Sequence, residues 1–512
     1  MRTCLRRPHV GAARTTNARR MASARVRVRA SHDVEGSESS QEMHMDPPEE
    51  ELDLLATSKA FLGPAVGGAL FGYDIGATSG ALVSLQTAAT SATLWGPQLT
   101  DGQKGWLVSA SLAGCVLGAT LALAKGDEIG RRKELLLGAA SFALGSIFSS
   151  QSGSLGTLAA SRMAYGVGEG LVAHAAPAYI AETAPTKARG TLVSLKEAFI
   201  VGGILVGFVV SRMFADMEGG WRWIYGVAVL PAGILGILMY CLPPSPRWLL
   251  TRGRGREEAK EALLQLRGRV PEAQVENELS LMEESAMPTG QVTLDSILGL
   301  FRGRNRKVLF VGGQLMIWQQ ITGQPSVLYY AAQILQKAGF SAASEATGAT
   351  VVIGAFKLLM TMVAVFTVDK VGRRPLLLAG VSGMVVALFM LASTQGDASG
   401  PMDDPTWMGI VSVIALLMYV GCYQVSFGPI AWLLVGEVFP NSIRGSAIAI
   451  ATLANFGSNF LVTLCLPLVE GSLGESGTYT LFAGLGIASL VSIYFTVPET
   501  KGLSLEEIEK QI

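Results

Sequence analysis

The sequence predicts an all-α membrane protein with twelve transmembrane helices in two pseudo-symmetric six-helix bundles. Half of the 512 residues are hydrophobic and only 16% are charged, whereas soluble domains average about a quarter charged residues. Twelve apolar segments, each near the roughly twenty residues that a helix needs to cross a bilayer, follow one another from Lys59 onward. Two short charged sequences also occur twice, once in each half of the chain.

The twelve segments divide six and six around a polar stretch at residues 243–305. Loops on one side of the predicted bundle carry Lys and Arg, and loops on the other side carry mainly acidic residues, as the positive-inside rule predicts for an even number of spans. Both termini then lie on the basic side, and the sequence does not specify which compartment this side faces. We place the spans near residues 59–83, 105–124, 134–152, 156–180, 191–213, 223–242, 308–333, 347–368, 375–393, 407–435, 446–468 and 478–497.

The chain before the first span has a different composition. Residues 1–32 contain nine arginines and no acidic residue, which is typical of an organellar transit peptide; a disordered basic tail is the alternative. Residues 33–56 are acidic and contain proline, which predicts a disordered linker. The remaining expected divisions are a first bundle at 57–242, amphipathic surface helices serving as a gate or linker at 243–305, a second bundle at 306–497 and a tail at 498–512.

The duplicated sequences lie at the ends of apolar runs. Asp127-Glu128-Ile129-Gly130-Arg131-Arg132 is repeated as Asp369-Lys370-Val371-Gly372-Arg373-Arg374, and each copy is followed by a Glu and an Arg seven residues apart: Glu182 with Arg189, then Glu437 with Arg444. A duplicated membrane unit is typical of alternating-access transporters, whose substrate site lies between the halves near mid-membrane. The sequence therefore predicts transport across a bilayer.

Other classes of function find little support. The formal net charge is zero, which argues against a nucleic-acid binder. The five cysteines are scattered without metal-ligand spacing, and no phosphate-binding loop or nucleophile constellation is present. We expect neither an enzyme nor a cofactor, and we expect a monomer.

Several motifs together resemble those of sugar porters of the major facilitator superfamily, over residues 60–512. The resemblance is strongest to a plant branch labelled D-xylose–proton symporter-like, which includes vacuolar glucose transporters and a plastid-targeted member. The motifs are Gly72-Tyr73-Asp74-Ile75-Gly76, the two Gly-Arg-Arg loops, Pro177-Ala178-Tyr179-Ile180-Ala181-Glu182, Pro244-Ser245-Pro246-Arg247-Trp248-Leu249, Gln319-Gln320-Ile321-Thr322-Gly323 with Tyr329-Tyr330, Glu437-Val438-Phe439-Pro440 and Pro498-Glu499-Thr500-Lys501-Gly502.

Two intramembrane charges are candidates for proton coupling, because a charge at membrane depth is costly and marks function. The resemblance implies that Asp74 in span 1 accepts the proton and that Arg162 in span 4 sets its affinity. The alternative is a permanent structural ion pair in an uncoupled facilitator. Glu169, on the same face of span 4, is a possible second partner of Arg162, and His174 is expected to serve packing.

Sugar recognition needs paired hydrogen-bonding groups and an apolar platform. The resemblance places five such residues in the substrate cavity, where the alternative for each amide is an interhelical hydrogen bond: Gln319, Gln320, Gln424, Trp432 and Asn455. Glu197 and Lys357 depart from the family pattern at cavity positions, and Pro325 replaces an Asn. Glu197 and Lys357 could bind an ionic substrate, form a second proton site or pair to shape the pocket.

The resemblance also implies charged networks that close one conformation and open in the other. Exposed ion pairs are worth only about 0–1 kcal/mol each, yet a few can bias a two-state equilibrium. We assign to gating Asp127, Arg131, Glu182, Arg189, Arg247, Asp369, Arg373, Glu437 and Arg444.

The expected function is proton-coupled symport of a monosaccharide, a hexose or a pentose, by alternating access in a plastid envelope. An uncoupled facilitator or exporter and a non-transporting sugar sensor are the alternatives, and a vacuolar or other organellar membrane is the alternative location. The expected partners are the sugar, protons and the lipid bilayer.

Overall fold

The structure is a computed structural model that describes residues 54–185, 189–285, 299–337, 340, 342–394, 406–440 and 443–502. These residues belong to one compact unit, and those in regular structure are helical. The predicted transit peptide lies outside the described residues, as do most of the predicted linker at 33–56 and most of the tail at 498–512. The domain boundaries expected from the sequence stay predictions.

The first six spans are formed by seven helices. Five spans are single helices, and the sixth is divided by a short break after Gly226. The helices are α1 (Leu54–Gln86), α2 (Asp101–Ile129), α3 (Arg131–Ser150), α4 (Leu155–Thr183), α5 (Arg189–Phe214), α6 (Gly220–Gly226) and α7 (Val229–Cys241). The ends that carry the Gly-Arg-Arg loops define what we call the basic face, and the other ends define the opposite face.

Three short helices follow on the basic face: α8 (Pro246–Thr251), α9 (Arg256–Arg267) and α10 (Glu272–Ser285). They form a small core of their own around Leu249, Leu263 and Leu279. Arg267 fixes them to the first bundle, because its guanidinium donates 2.7 Å to the carbonyl of Thr183 at the end of α4 and is paired with Glu278 of α10. Removing one partner of a buried ion pair of this kind strongly destabilises the folded protein.

The second six spans are less regular than the first. The seventh consists of α11 (Gly303–Ile321), α12 (Gln324–Tyr329) and α13 (Ala331–Lys337), the eighth is α14 (Ala343–Val371) and the ninth is α15 (Arg373–Thr394). The tenth is divided at Ser426 into α16 (Thr406–Val425) and α17 (Phe427–Val438), and α18 (Arg444–Thr496) carries the last two spans.

The connection between the last two spans is a tight turn. Residues 469–477 are helical, and only Gly474, with φ 70° and ψ 174°, departs from helical geometry and turns the chain.

Seven helical stretches among the described residues are long and apolar enough to cross a membrane by length and composition alone. Glycine and charged residues lower the mean hydropathy of helices such as α1 and α4, and the break at Gly323 shortens α11. These helices are therefore identified as spans by their packing against the other helices and not by hydropathy.

Glycines bring the helices around the intramembrane charges unusually close together. A Cβ on Gly72 of α1 would lie 1.8 Å from the carbonyl oxygen of Ile200 in α5, and one on Gly166 of α4 would lie 1.8 Å from that of Ser111 in α2. Small residues at helix interfaces permit such backbone contact in membranes. These contacts bring α1 against α5 and α4 against α2.

The two halves meet in the membrane interior and toward the opposite face. The backbone N–H of Ala332 in α13 donates to Ser79 of α1 at 3.0 Å, and Gly105 of α2 lies against the carbonyl of Leu464 in α18. Near mid-membrane, the rings of Phe71 and Phe456 pack edge to face, with their centroids 6.1 Å apart. These contacts close the bundle toward the opposite face.

Candidate transport site

A buried ion pair joins the two intramembrane charges predicted to interact. Arg162 of α4 and Asp74 of α1 are 1% and 2% exposed, and the guanidinium contacts the carboxylate in a bidentate arrangement, with Nη2 donating to Oδ2 at 2.7 Å. Fork-to-fork geometry of this kind gives strong and directional pairing. The structure therefore places Asp74 and Arg162 together.

Hydroxyl groups and an aromatic ring complete the surroundings of this pair. Ser111 of α2 donates 3.0 Å to Oδ2 of Asp74, and Nη2 of Arg162 donates 2.8 Å to Thr78. The guanidinium also lies 4.7 Å from the ring centroid of Tyr225, a cation–π distance. Sequence reasoning missed these three residues; the position of Thr78, one helical turn after Asp74, was the available signal.

Glu169 of α4 is a third buried ionisable group near this pair. It is fully buried, and neither of its oxygens receives a hydrogen bond from a described donor. Its side chain interacts with those of Asp74 and Arg162. His174, expected to serve packing, instead lies with Nδ1 2.8 Å from Oε1 of Glu134, which is also fully buried.

Three predicted sugar-binding amides form one cluster in the second bundle. Asn455 of α18 donates 2.7 Å to Oε1 of Gln319, and Gln320 donates 3.1 Å to Oδ1 of Asn455. Gln319 in turn donates 2.7 Å to the carbonyl of Phe427, where the tenth span is broken. Oε1 of Gln320 is buried and has no hydrogen-bond partner among the described residues, so within them the cluster keeps one free acceptor.

Gln424 belongs to a second polar group, centred on Lys357. The ammonium of Lys357 in α14 donates 2.6 Å to Oε1 of Gln424 and lies 5.1 Å from the ring centroid of Tyr423. Nε2 of Gln424 has no partner among the described residues. Tyr423, which the sequence analysis missed, also interacts with Gln319 and so connects the two groups.

Glu197 and Trp432 lie outside these hydrogen-bonded groups. Glu197 of α5 is half-buried and interacts electrostatically with Lys357 across the two bundles, while the hydrogen bond of Lys357 goes to Gln424. The indole of Trp432 in α17 is 38% exposed. Among the described residues, no group of three or more His, Cys, Asp or Glu could hold a metal ion.

The duplicated charged sequences form matching networks at the basic face. In the first bundle, Arg131 pairs with Asp127 at 2.7 Å and with Glu182 at 3.3 Å. In the second, the guanidinium of Arg373 lies 3.1 Å from both Asp369 and Glu437, and the equivalence of the two networks shows the internal repeat in three dimensions.

The second arginine of each repeat contacts the end of the last span of its own bundle. Arg132 donates 2.6 Å to the carbonyl of Tyr240 in α7, and Arg374 donates 2.7 Å to that of Tyr494 in α18. Both bonds satisfy carbonyls that a helix leaves free at its C-terminus.

Three of the predicted gating residues are not placed in these networks. Arg247 is exposed, and the described contacts beside it are made by Trp248 and Arg252, which both donate to the carbonyl of Asp127. The side chains of Arg189 and Arg444 lie outside the described part of the chain. Their roles in gating stay predictions.

A family model described as "Sugar (and other) transporter" matches residues 60–511. The chain belongs to this transporter family. It is 48% identical to the D-xylose-proton symporter-like 3, chloroplastic, of Arabidopsis thaliana over 463 residues, covering 88% of this chain and 82% of the relative. It is 34% identical to the arabinose-proton symporter of Escherichia coli strain K12, covering 88% of this chain and 92% of that protein.

Solved structures of a sugar transporter share the fold. The inward-open conformation of the xylose transporter XylE from E. coli matches with a TM-score of 0.73 at 29% identity, covering 88% of this chain and 98% of that one. The XylE complex with 6-bromo-6-deoxy-D-glucose matches with a TM-score of 0.70 at 29% identity, covering 89% and 99%. The twelve-helix architecture of two bundles predicted from the sequence is confirmed.

Proposed function

We propose that this protein is a proton-coupled monosaccharide symporter that works by alternating access, with Asp74 as the proton acceptor and Arg162 as its partner. The observation that carries the proposal is the buried pair of Asp74 and Arg162, since a membrane protein rarely keeps charges at this depth without a transport role. The family supports sugar as the substrate class, and the relatives named as proton symporters support coupling.

The sugar is proposed to bind against the amide cluster of the second bundle. The free acceptor on Gln320 and the free donor on Gln424 are complementary to hydroxyl groups, which both donate and accept. Gln319 and Asn455 hold these amides in place, and exposed Trp432 supplies an apolar platform for the sugar ring. Lys357 keeps Gln424 oriented through its hydrogen bond.

The matching networks around Arg131 and Arg373 are proposed to act as gates at the basic face. The described ion pairs of each network join residues of one bundle in this conformation, in which the bundles meet toward the opposite face. Closing the basic face would bring these charged surfaces, together with Arg189, Arg247 and Arg444, to the interface between bundles. The protein would then have two conformations, and bound sugar would shift the equilibrium toward the one that it binds more tightly.

Uptake into proteoliposomes tests the proposal. With labelled D-xylose or D-glucose and a pH gradient that is acidic outside, the protein should accumulate sugar above the external concentration, and Asp74→Asn should only equilibrate it. Asp101→Asn removes an exposed carboxylate at the start of α2 and is the matched control. Gradient-independent uptake that Asp74→Asn leaves unchanged would identify a facilitator, and a complete lack of sugar movement would identify a sensor.

We place the protein in a plastid envelope membrane. The arginine-rich, acid-free composition of residues 1–32 and the chloroplastic relative support this location. A fusion of residues 1–56 to a fluorescent protein should enter plastids and be shortened there. Delivery of the full-length fusion to the vacuolar membrane, with no import of the 1–56 fusion, would contradict the assignment.

A further inference from the structure

The proton-coupling pair has an unusual neighbour in Glu169. Its carboxyl is fully buried between α2 and α4, where Gly170 brings the helices into backbone contact. Neither oxygen accepts a hydrogen bond from a described donor. An ionised carboxylate buried without donors is too costly to persist, so such a group is neutral and carries a proton.

Asp74 is in the contrasting situation. Its carboxylate accepts hydrogen bonds from both terminal nitrogens of Arg162 and from Ser111. These three donors stabilise the ionised form and leave the carboxylate of Asp74 well satisfied. The donors around Asp74 therefore favour its ionised form, whereas the lack of a described donor at Glu169 favours the protonated form of that carboxyl.

We propose that Glu169 is a second proton-carrying residue of the transport cycle and that it exchanges its proton with Asp74 across a shared Arg162. This inference rests on the proposed symport function. The proton leaves the carboxyl oxygen of Glu169 and binds a carboxylate oxygen of Asp74, so the negative charge moves to Glu169. Arg162 then pairs with Glu169, and the three groups stay neutral in total before and after the exchange.

The position of Arg162 supports the exchange of partners. Its Nε is buried and has no acceptor in the part of the chain that the structure describes. Glu169 lies seven residues further along α4, nearly two turns, so both side chains share one face. Because either carboxylate can neutralise the guanidinium, Arg162 is never left as an unpaired buried charge, which would be strongly destabilising. Asp74 can thus be protonated without that cost.

The groups that interact with Glu169 come from four helices. Among the described residues they supply one cation, one carboxylate, one thiol and two phenols, and the hydroxyl of Tyr329 is itself buried with no described partner. They are Asp74 of α1, Cys115 of α2, Arg162 and Tyr165 of α4 and Tyr329 of α12.

Infrared difference spectroscopy tests the protonation state directly. Wild-type protein in lipid should show a carbonyl band of a protonated carboxylic acid that changes when sugar is added, and Glu169→Gln should remove it. Glu134→Gln, which changes an equally buried carboxyl paired with His174, should retain the band. A sugar-sensitive acid band that persists in Glu169→Gln would overturn the proposal.

Thermal stability tests the exchange of partners independently. In Asp74→Asn, Glu169 should ionise and pair with Arg162, so this variant and Glu169→Gln should each lower the melting temperature only slightly. The double variant leaves Arg162 unpaired and should lose much more than the sum of the two, or fail to fold. Adding Arg162→Gln to it should restore folding. Additive losses, or no recovery in the triple variant, would contradict a shared guanidinium.

Measurements of sugar accumulation in the two single variants distinguish a failure of this inference from a failure of the proposed function. Loss of gradient-driven accumulation in both Asp74→Asn and Glu169→Gln, with sugar exchange retained, supports both. Loss in Asp74→Asn alone, with an unchanged proton-to-sugar ratio in Glu169→Gln, overturns only the role of Glu169. Full accumulation in both variants overturns symport through this site.

Discussion

Gly105 offers a direct test of how the two bundles close toward the opposite face. A Cβ at this position of α2 would lie 2.3 Å from the carbonyl oxygen of Leu464 in α18, where ordinary contacts begin at 3.4 Å. Gly105→Ala therefore requires the two helices to separate by roughly 1 Å, and overpacking of this kind costs about 1–3 kcal/mol. The cost applies only while the bundles are in contact.

The substitution should therefore favour the conformation that is open toward the opposite face. A cost of about 1–3 kcal/mol changes the ratio of two conformations about 5-fold to 150-fold. The buried thiol of Cys115 reports on this change, because it packs with Phe456 of α18 at the same interface. With the other cysteines replaced by serine, the rate at which a small water-soluble reagent modifies Cys115 should rise by that factor.

Gly102→Ala is the matched control, one turn earlier in α2. A Cβ there would meet only the Leu468 side chain, at 3.9 Å, so the rate of Cys115 modification should stay near that of the parent. Equal rates in Gly105→Ala and Gly102→Ala, with both proteins folded, would refute the close contact described here.

Three further predictions concern the sugar site, the basic face and the surface helices. Gln320→Leu removes an amide whose acceptor oxygen has no described partner. It should raise the KM for sugar about 5-fold, the value of one hydrogen bond of about 1 kcal/mol; an unchanged KM would place the sugar elsewhere. The combined variant Arg131→Gln/Arg373→Gln should slow turnover with little change in melting temperature, because partly exposed ion pairs add little stability; normal turnover would argue against gating. Hydrogen bonds from Arg256 and Lys260 hold the pKa of Glu276 below its ordinary value. The ionised Glu276 therefore stabilises the packing of α9 on α10 at any pH above its ordinary pKa of about 4.3. This stabilisation is lost as the pH falls through the lower pKa of Glu276 in the folded protein. Hydrogen exchange in α9 and α10 should therefore increase on acidification, and Glu276→Gln should remove that increase; the same increase in the variant would assign it to other groups.

The sequence was sufficient to predict the helices and the main charged pair. Apolar length and the basic bias of alternate loops gave twelve spans, and the cost of a lone intramembrane charge required a partner for Asp74. Arg162 was the suitable guanidinium in the same half of the chain, and the two do pair. The resemblance to sugar porters, and not residue type alone, singled out the amides on the seventh and eleventh spans.

Other features depend on tertiary contacts that a pattern does not contain. Spacing alone made Glu169 a candidate partner of Arg162. In the structure the terminal guanidinium nitrogens of Arg162 instead contact Asp74, Thr78 and Ser111, which lie on α1 and α2. The predicted spans end at 468 and resume at 478, and only the structure shows that the chain turns between them at Gly474. Tyr423 became recognisable only when Lys357 was placed over its ring.

The two ligands of the proposed cycle are held by different bundles. The carboxyls that exchange the proton are on α1 and α4, whereas the amides that face the sugar are on α11, α16 and α18. Thermodynamic linkage between them must therefore pass through the surface where the bundles touch, and it must act equally in both directions. A substitution that weakens the effect of sugar on proton affinity must weaken the effect of protons on sugar affinity by the same factor, even when it touches neither ligand.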